Sequence, residues 1–403
     1  MPLKPILSMA ALARIPVADL PGLIAKMLSD PADANLYMSQ FHLFSVVGNS
    51  EFALEMQSRA LELSRIYRIA GADKPAIRLL ALMGAGDPSV NTPLDYLVEN
   101  SDIQLDLLYI DTDQALPACI PEHDVAIVAL GESAQNRPIL ERMAQLTQHW
   151  PRPVLNPAKQ LLNGSRDDVY RQLHDIPELL IPPTRRVSRA ELTQVATQQP
   201  TANELLGAAY PVTLRPLVSQ SGRGLAKLAN AAELAAYLDA SDEAEFFVSS
   251  FIDYRSADGC YRKLRIALID GMPFICHLAI SEHWIVHYGS AGMTESAAKR
   301  CEEARVMRDF DGDFAQRHQA ALRLIADRLQ LDYVVIDCSE TQDGRLLIFE
   351  ADNRGWIHAT DQLDIFQYKQ IPMQCAFAAF STHLLKTMNA HSNPTPERTK
   401  NHD

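Results

Sequence analysis

Apolar positions along this chain follow two periodicities, and the change from one to the other divides it. In NLYMSQFHLFSVVGNSEFALEMQSRALELSRIYRIAG, two stretches of helical spacing flank a turn-like Gly48-Asn49-Ser50, and the second sets Leu54, Met56, Leu61, Leu63 and Ile66 among good helix formers. The spacing predicts a helix–turn–helix unit within a helical region over 1–74. Beyond residue 75 the runs shorten. AIRLLALMGAG, IQLDLLYID and HDVAIVALG read as strands, and LDYLVEN and RPILERMAQLTQHW as helices between and after them. Thr92 followed by Pro93 is a helix-start signal, with Thr as cap and Pro at the first helical position. Strands alternating with helices predict a small parallel-sheet domain over 75–157. Residues 158–200 read as helical, broken at Pro182 and Pro183. From about 205 to 388 strands and helices mix, and the polar, proline-bearing NAHSNPTPERTKNHD predicts a disordered tail over 389–403.

Composition narrows the function classes. The 403 residues carry 37 Lys and Arg against 50 Asp and Glu, a net charge of −13. Such a chain repels an extended phosphate backbone, which argues against nucleic acid as partner and leaves phosphate binding to a local basic site. No apolar run approaches the roughly 18–20 residues of a membrane span. The N-terminal MPLKPILSMAALARIP lacks the order of a secretory leader. The six cysteines form no CxxC pair, so neither a zinc site nor a disulfide framework is indicated. A cytoplasmic, multidomain protein is expected. Gly84-Ala85-Gly86 invites a dinucleotide reading, but Ser89 stands where the third glycine belongs, and a tight strand-to-helix turn explains it better.

Three features of the third region carry candidate chemistry. In YPVTLRPLVSQSGRGLAKL, a strand from Pro211 to Leu214 delivers Arg215, and the small-residue loop from Ser219 to Gly224 precedes a second strand. Small residues let backbone N–H groups approach phosphate oxygens, and the guanidinium adds fixed charge. A plain hairpin turn is the competing reading. EFFVSSFIDY then offers an apolar strand whose backbone suits an adenine edge. In YRKLRIALID, alternation places Lys263, Arg265, Ala267 and Ile269 on one face. Two cations on such a face need anions, which structural carboxylates or a triphosphate would supply. Last comes LDYVVIDCSETQDGRLLIFEADNRG, two strands around an Asp-Gly turn signal. Alternation aligns Tyr333, Val335 and Asp337 on one strand, and Leu346, Ile348, Glu350 and Asp352 on the other. Carboxylates crowded on a buried face need a cation, and hard oxygen donors suit Mg²⁺. Pairing with arginines at a strand end is the alternative.

In this order the features resemble the ATP-grasp superfamily, in particular the branch of carboxylate–amine ligases typified by ribosomal-protein glutamate ligase, over about residues 76–388. The helical start is similar to a tetratricopeptide repeat. The resemblance implies an α/β (α+β) architecture: the helical region, a pre-ATP-grasp domain over 75–157, and an ATP-grasp domain with mixed and antiparallel sheets over 158–388. It implies ATP held by Arg215, Ser221, Gly222, Gly224, Lys227 and Lys263, with the Phe247-Val248-Ser249 strand at the adenine. It implies Mg²⁺ on Asp337, Glu350 and Asp352, with Asp where Asn is usual, and Arg265 and His277 at the reacting groups. Arg replaces the usual phosphate-binding Lys, Ser249-Ser250 removes a hinge carboxylate, and Lys263-Leu264-Arg265 keeps only the Arg of D-x-R. His277, His283 and His287 do not follow HExxH spacing. His277, His287 or the run Gly289 to Gly292 is expected to line the γ-phosphate and the acceptor.

The implied reaction is ADP-forming amide or peptide bond formation through an acyl-phosphate, on an amino acid or short peptide. The alternative is a catalytically reduced nucleotide-binding scaffold whose helical N-terminus binds a protein or peptide partner. A homo-oligomer fits either reading.

Overall fold

The computed structural model describes residues 3–29, 33–72, 74–197, 202–207, 209–217 and 222–392. The expected mixed α/β architecture takes the form of three sheets. The first contains β1 (Pro5–Ile6), β2 (Ile66–Ile69), β3 (Ile77–Met83), β4 (Ile103–Tyr109), β5 (Val125–Val128) and β6 (Val154–Leu155), in the order β1-β2-β4-β3-β5-β6. All neighbours are parallel except β2 and β4. The continuous apolar runs of β3 to β5 follow from burial on both faces. Leu79, Ala81, Leu105 and Ile127 meet the helix pair Ala34–Val46 and Ser50–Leu63, while Leu80, Leu82, Ala126 and Val128 meet the helix Arg137–Thr147.

Several sequence expectations change here. The helix pair and its turn at Gly48 are present, with Gly48 at φ 80° and the Asn49 side chain capping Phe52 N–H at 3.3 Å. The sheet covers the pair through Phe41, Met56 and Ala60, while Leu54 and Leu63 stay exposed, and a tetratricopeptide character is not confirmed. Residues 66–69 are not helical. Tyr67 and Ile69 alternate into the core, and pairing with β4 overrides the helical spacing that had included Ile66. The Thr92 hydroxyl does not cap the Leu94–Leu97 helix; it donates to the Ala129 carbonyl at 3.0 Å. The 158–200 stretch contains two strands, β7 (Leu179–Leu180) and β8 (Thr184–Ser188), around the proline pair. The final helix, Gln370–Ser392, runs into the expected tail, and residues 393–403 lie outside the described residues.

The second sheet is antiparallel, in the order β10-β9-β11-β8, with β9 (Val212–Pro216), β10 (Ala226–Leu228) and β11 (Glu245–Ser250). Val187, Val212, Leu214, Phe246 and Val248 form its core with the helices Arg189–Ala196 and Ala231–Asp239. The third has the order β13-β12-β14-β15-β7, with β12 (Tyr261–Ile269), β13 (Met272–Ser281), β14 (Tyr333–Glu340) and β15 (Leu346–Asp352). Tyr333 and Val335 join the core of the first sheet together with Phe380 and Leu384 of the last helix. Val334, Ile336 and Cys338 face a separate core. Among the described residues no helix is long and apolar enough to cross a membrane.

Candidate functional site

Register assigns the faces of the second sheet. Phe247 lies opposite Arg215 and Arg186, Ser249 opposite Thr213 and Thr184, and Lys227 opposite Thr213. One face therefore carries Arg186, Arg215, Lys227, Phe247, Thr184 and Ser249, while Val248 points into the core and leaves only its backbone for a ligand. The Ser249 and Thr184 hydroxyls are 2.7 Å apart. The Lys227 ammonium stands 3.6 Å from the centre of the Phe251 ring, which meets Trp284 edge-on. Arg215 sits inside β9 rather than after it.

Ser219, Gln220 and Ser221 lie outside the described residues. Gly222 and Gly224 adopt φ of 71° and 69°, conformations that disfavour a side chain. A Cβ on Gly222 would lie 2.6 Å from His287 Nε2, so glycine lets the backbone here approach the segment that follows β13.

On the third sheet one row crosses four strands. His277 on β13 pairs with Arg265 on β12, Arg265 with Asp337 on β14, and Asp337 with Glu350 on β15. Asp337, nearly inaccessible at 6%, accepts from Arg265 Nε at 2.8 Å and Nη2 at 3.0 Å and from Lys263 Nζ at 3.0 Å. Burial disfavours its charge, but Arg265 and Lys263 hold the carboxyl far below its usual range. Burial opposes Glu350 in the same way, and Arg166 and Arg215 outweigh it. Arg166, on the first turn of the Arg166–Leu173 helix, is bonded to Glu350 Oε1. Arg215 is pulled down to about 10 by burial and by the nearby Arg166 charge, with Glu350 opposing.

The expected single-face alignment of β15 is broken. A register shift between Asp337 and Cys338 makes Phe349 an extra residue, so Leu346 and Ile348 lie opposite Glu340 and Cys338, away from Glu350. The bulge gives the apolar half of β15 to one core and its carboxylates to the opposite face. Asp352 lies opposite Val335 and is bound by Arg354, whose Nε and Nη2 reach it at 2.5–3.0 Å.

The histidines separate. His277 lies 4.6 Å, ring to ring, from Tyr288, and burial with the Arg265 charge lowers it well below the ordinary histidine value. His287 is lowered by burial and by Lys263. His283 is exposed, its backbone N–H donating to Ser281. No group of three His, Cys, Asp or Glu residues in metal-holding geometry occurs among the described residues. The donor set nevertheless suits one hard cation in part. A carboxylate offers about four acceptor sites. Asp337 Oδ1 takes a single donor, and Glu350 Oε2 takes none among the described residues.

Sequence reasoning missed Arg166, Arg354 and Glu303. Arg354 stands within the quoted EADNRG, but nothing in the spacing indicated its partner. Arg166 follows Ser165, whose hydroxyl caps Asp168 N–H at 3.3 Å, a start signal that places the helix without naming the ion pair. Glu303, fully buried on the Ala297–Asp309 helix, accepts from Leu278 N–H at 3.0 Å, Tyr288 at 2.8 Å and Tyr368 at 2.6 Å. It satisfies the open edge of β13 and fixes the Tyr288 segment beside His277.

No family model matches the sequence, and no curated protein is similar to it in sequence. Solved structures with a similar chain path include a RimK domain protein ATP-grasp from Sphaerobacter thermophilus, at 17% identity over 75% of this chain and 98% of that one, with TM-score 0.43. The VanG D-Ala:D-Ser ligase of Enterococcus faecalis is similar at 12% identity over 77% of this chain and 99% of its own, with TM-score 0.48. D-alanyl-alanine synthetase A of Vibrio cholerae is similar at 11% identity over 78% of this chain and 98% of its own, with TM-score 0.49.

Proposed function

We propose that the chain is an ATP-dependent carboxylate–amine ligase acting on an amino acid or short peptide. The observation that carries this reading is the row His277–Arg265–Asp337–Glu350 with Lys263, Arg166 and Arg215 gathered around it. With Arg354 and Asp352 included, five cations meet three carboxylates. Arg166 and Arg215 crowd one another, which costs free energy that a polyanion would recover. A nucleotide triphosphate carrying a divalent cation matches this excess, whereas a neutral ligand does not. The second sheet supplies a polar and aromatic face of the kind a purine nucleotide needs: Phe247, Ser249 and Lys227.

In the proposed reaction an oxygen of the substrate carboxylate attacks the γ-phosphorus, ADP departs, and an amine then displaces phosphate from the acyl carbon. The task for protein groups is charge neutralisation and alignment. Arg215, Lys263 and Arg265 would hold the phosphoryl oxygens as charge spreads over them. Asp337 and Glu350 are the residues that would hold Mg²⁺, which when bound neutralises phosphate charge. His277 is too weak a base for proton removal near neutrality, so we assign it to binding the acceptor side. Phosphate release from ATP that requires both an acid and an amine is the expected result, and at least a hundredfold loss in Asp337→Ala. Full turnover in that variant would overturn the site assignment.

A further inference from the structure

We propose that the N-terminal segment completes the acceptor side of this site: Arg14 and Tyr96 hold His358 in place, and the ring N–H of His358 binds an oxygen of the amine substrate. This role rests on the ligase reading and adds a binding residue, with its supports, at the end of the row occupied by His277. Arg265, opposite His277 in register, also donates from Nη1 to the Trp356 carbonyl at 2.9 Å. The chain after Trp356 therefore starts at the row. Ile357 and Ala359 are buried in the core shared by the first and third sheets, and Trp356, His358 and Thr360 alternate with them, part-exposed. Lys369 links the two histidines. Its ammonium pairs with Asp361 at 2.5 Å and stands 4.2 Å from the centre of the Tyr288 ring, which in turn meets His277.

The neighbours of His358 define its state. Thr360 N–H donates to Nδ1 at 3.4 Å, so Nδ1 presents its lone pair and the ring hydrogen sits on Nε2. Burial lowers the group below the ordinary histidine value; Asp361 opposes this, Lys369 and Arg265 add to it, and the ring stays neutral. Among the described residues no group accepts the Nε2 hydrogen. A half-buried donor without a partner costs free energy that a ligand oxygen recovers. The supports come from the far end of the sequence. Tyr96 meets the Trp356 and His358 rings at 5.1 and 6.2 Å between centres, and it packs with Met9 and Ala10. Arg14 grips Glu99 with Nε and Nη2, at 2.6 and 2.7 Å, and Nη2 also donates to the Ala359 carbonyl at 3.0 Å. The segment that brings Arg14 is itself pinned: His42 Nδ1–H donates to the Leu7 carbonyl at 2.6 Å, and Ala10 N–H to buried Asp95 at 3.1 Å. Carbonyls on both sides of His358 are thus held, one by an arginine of the row and one by an arginine of the N-terminal segment.

The test follows phosphate release from ATP by the full chain, with the common amino acids offered in pairs as acid and amine, and with ammonia as an amine that has no oxygen to hold. H358A should raise the KM for the amino-acid amine about tenfold, the loss of one hydrogen bond, while the KM for ATP and the rate with ammonia stay within about twofold. H358Q keeps an N–H donor and should recover most of that loss. R14M should raise the same KM about fivefold and spare ammonia, because it displaces His358 without touching substrate. A merely structural role would lower the rates with both amines alike. In the unaltered chain, nitrogen-15 spectra of the imidazoles should place the His358 hydrogen on Nε2 and show that resonance moving when the amine is added, a readout that needs no variant to fold. A hydrogen on Nδ1, an unchanged amine KM in H358A, or equal losses with ammonia would overturn the inference and leave the ligase reading standing. No phosphate release with any pair or with ammonia removes both.

Discussion

At Asp337 a carboxylate is held between two cations in a place water scarcely reaches, and the cost of disturbing it is set by what remains behind. Asp337→Asn leaves Arg265 and Lys263 facing each other without a counter-charge, so a loss of about 3–5 kcal/mol in urea unfolding is expected. Because the folded-state value lies far below the unfolded one, this pair contributes its full stability above about pH 4 and loses it as pH falls further. His277 acts in a higher window. Burial first, and Arg265 second, keep it neutral when folded, while the unfolded chain takes up a proton below roughly pH 6.5. Its contribution is present above that pH and falls by about 1.4 kcal/mol per unit below it. His42, His287 and His358 are lowered in the same direction, so the slope is shared. His277→Gln should flatten the stability profile between pH 6.5 and 5, and an unchanged slope would show that His277 is charged in the folded protein.

Elements differ in how openly the sequence announces them, for physical reasons. β3, β4 and β5 were legible because strands buried on both faces must be apolar throughout, and the hairpin of β14 and β15 because Asp343-Gly344 can turn the chain, with Gly344 at φ 82°. β1 and β2 were not: they are two and four residues long, and their identity comes from pairing with distant chain. The bulge at Phe349 left no mark in an apolar run, since Leu346, Leu347 and Ile348 are all buried whichever face they take. The candidate site was legible to the same depth. Strand alternation found Lys263, Arg265, Asp337 and Glu350, whereas Arg166 and Arg354 are contributed by a helix start and a turn whose partners only the fold determines. The helix Arg189–Ala196 lies in the stretch read as helical, and its start carried a signal of its own. Ser188 and Glu191 have capping-box spacing, and the structure shows both halves: Glu191 N–H to the Ser188 hydroxyl at 3.3 Å and Ser188 N–H to Glu191 Oε2 at 2.7 Å. Ser188→Ala should cost about 1 kcal/mol. The loss should appear in the unfolding of the second sheet, read by hydrogen exchange in β8 and β11; equal losses in β3 would show that the sheets do not unfold separately.

Among the described residues, two of the three sheets share one core. Ile6, Met38 and Leu105 pack in the same cluster as Ala267, Tyr333 and Phe380. Polar contacts close the joint at the open end of the β14–β15 hairpin: the Asn156 side chain bonds Tyr333 N–H and C=O at 2.9 and 2.8 Å, and Asn353 bonds Thr92 and Ala129. The second sheet keeps its own smaller core, and it carries Arg215 toward Glu350 of the third. Separate cores give separate stabilities, because a cluster opens when its own burial no longer offsets chain entropy. In hydrogen exchange under rising denaturant, amides of β3 and β14 should therefore open together, and those of β9 and β11 at lower concentration. On the proposed reading a nucleotide spans both sheets, so it binds the closed second sheet and not the open one. At about a hundredfold excess over its dissociation constant it should add about 2.7 kcal/mol to that sheet, slowing β9 exchange about a hundredfold while β3 is unchanged until global unfolding. Opening of β3 well before β14 would show that the shared core is not cooperative, and β9 amides indifferent to nucleotide would show that Arg215 does not meet it.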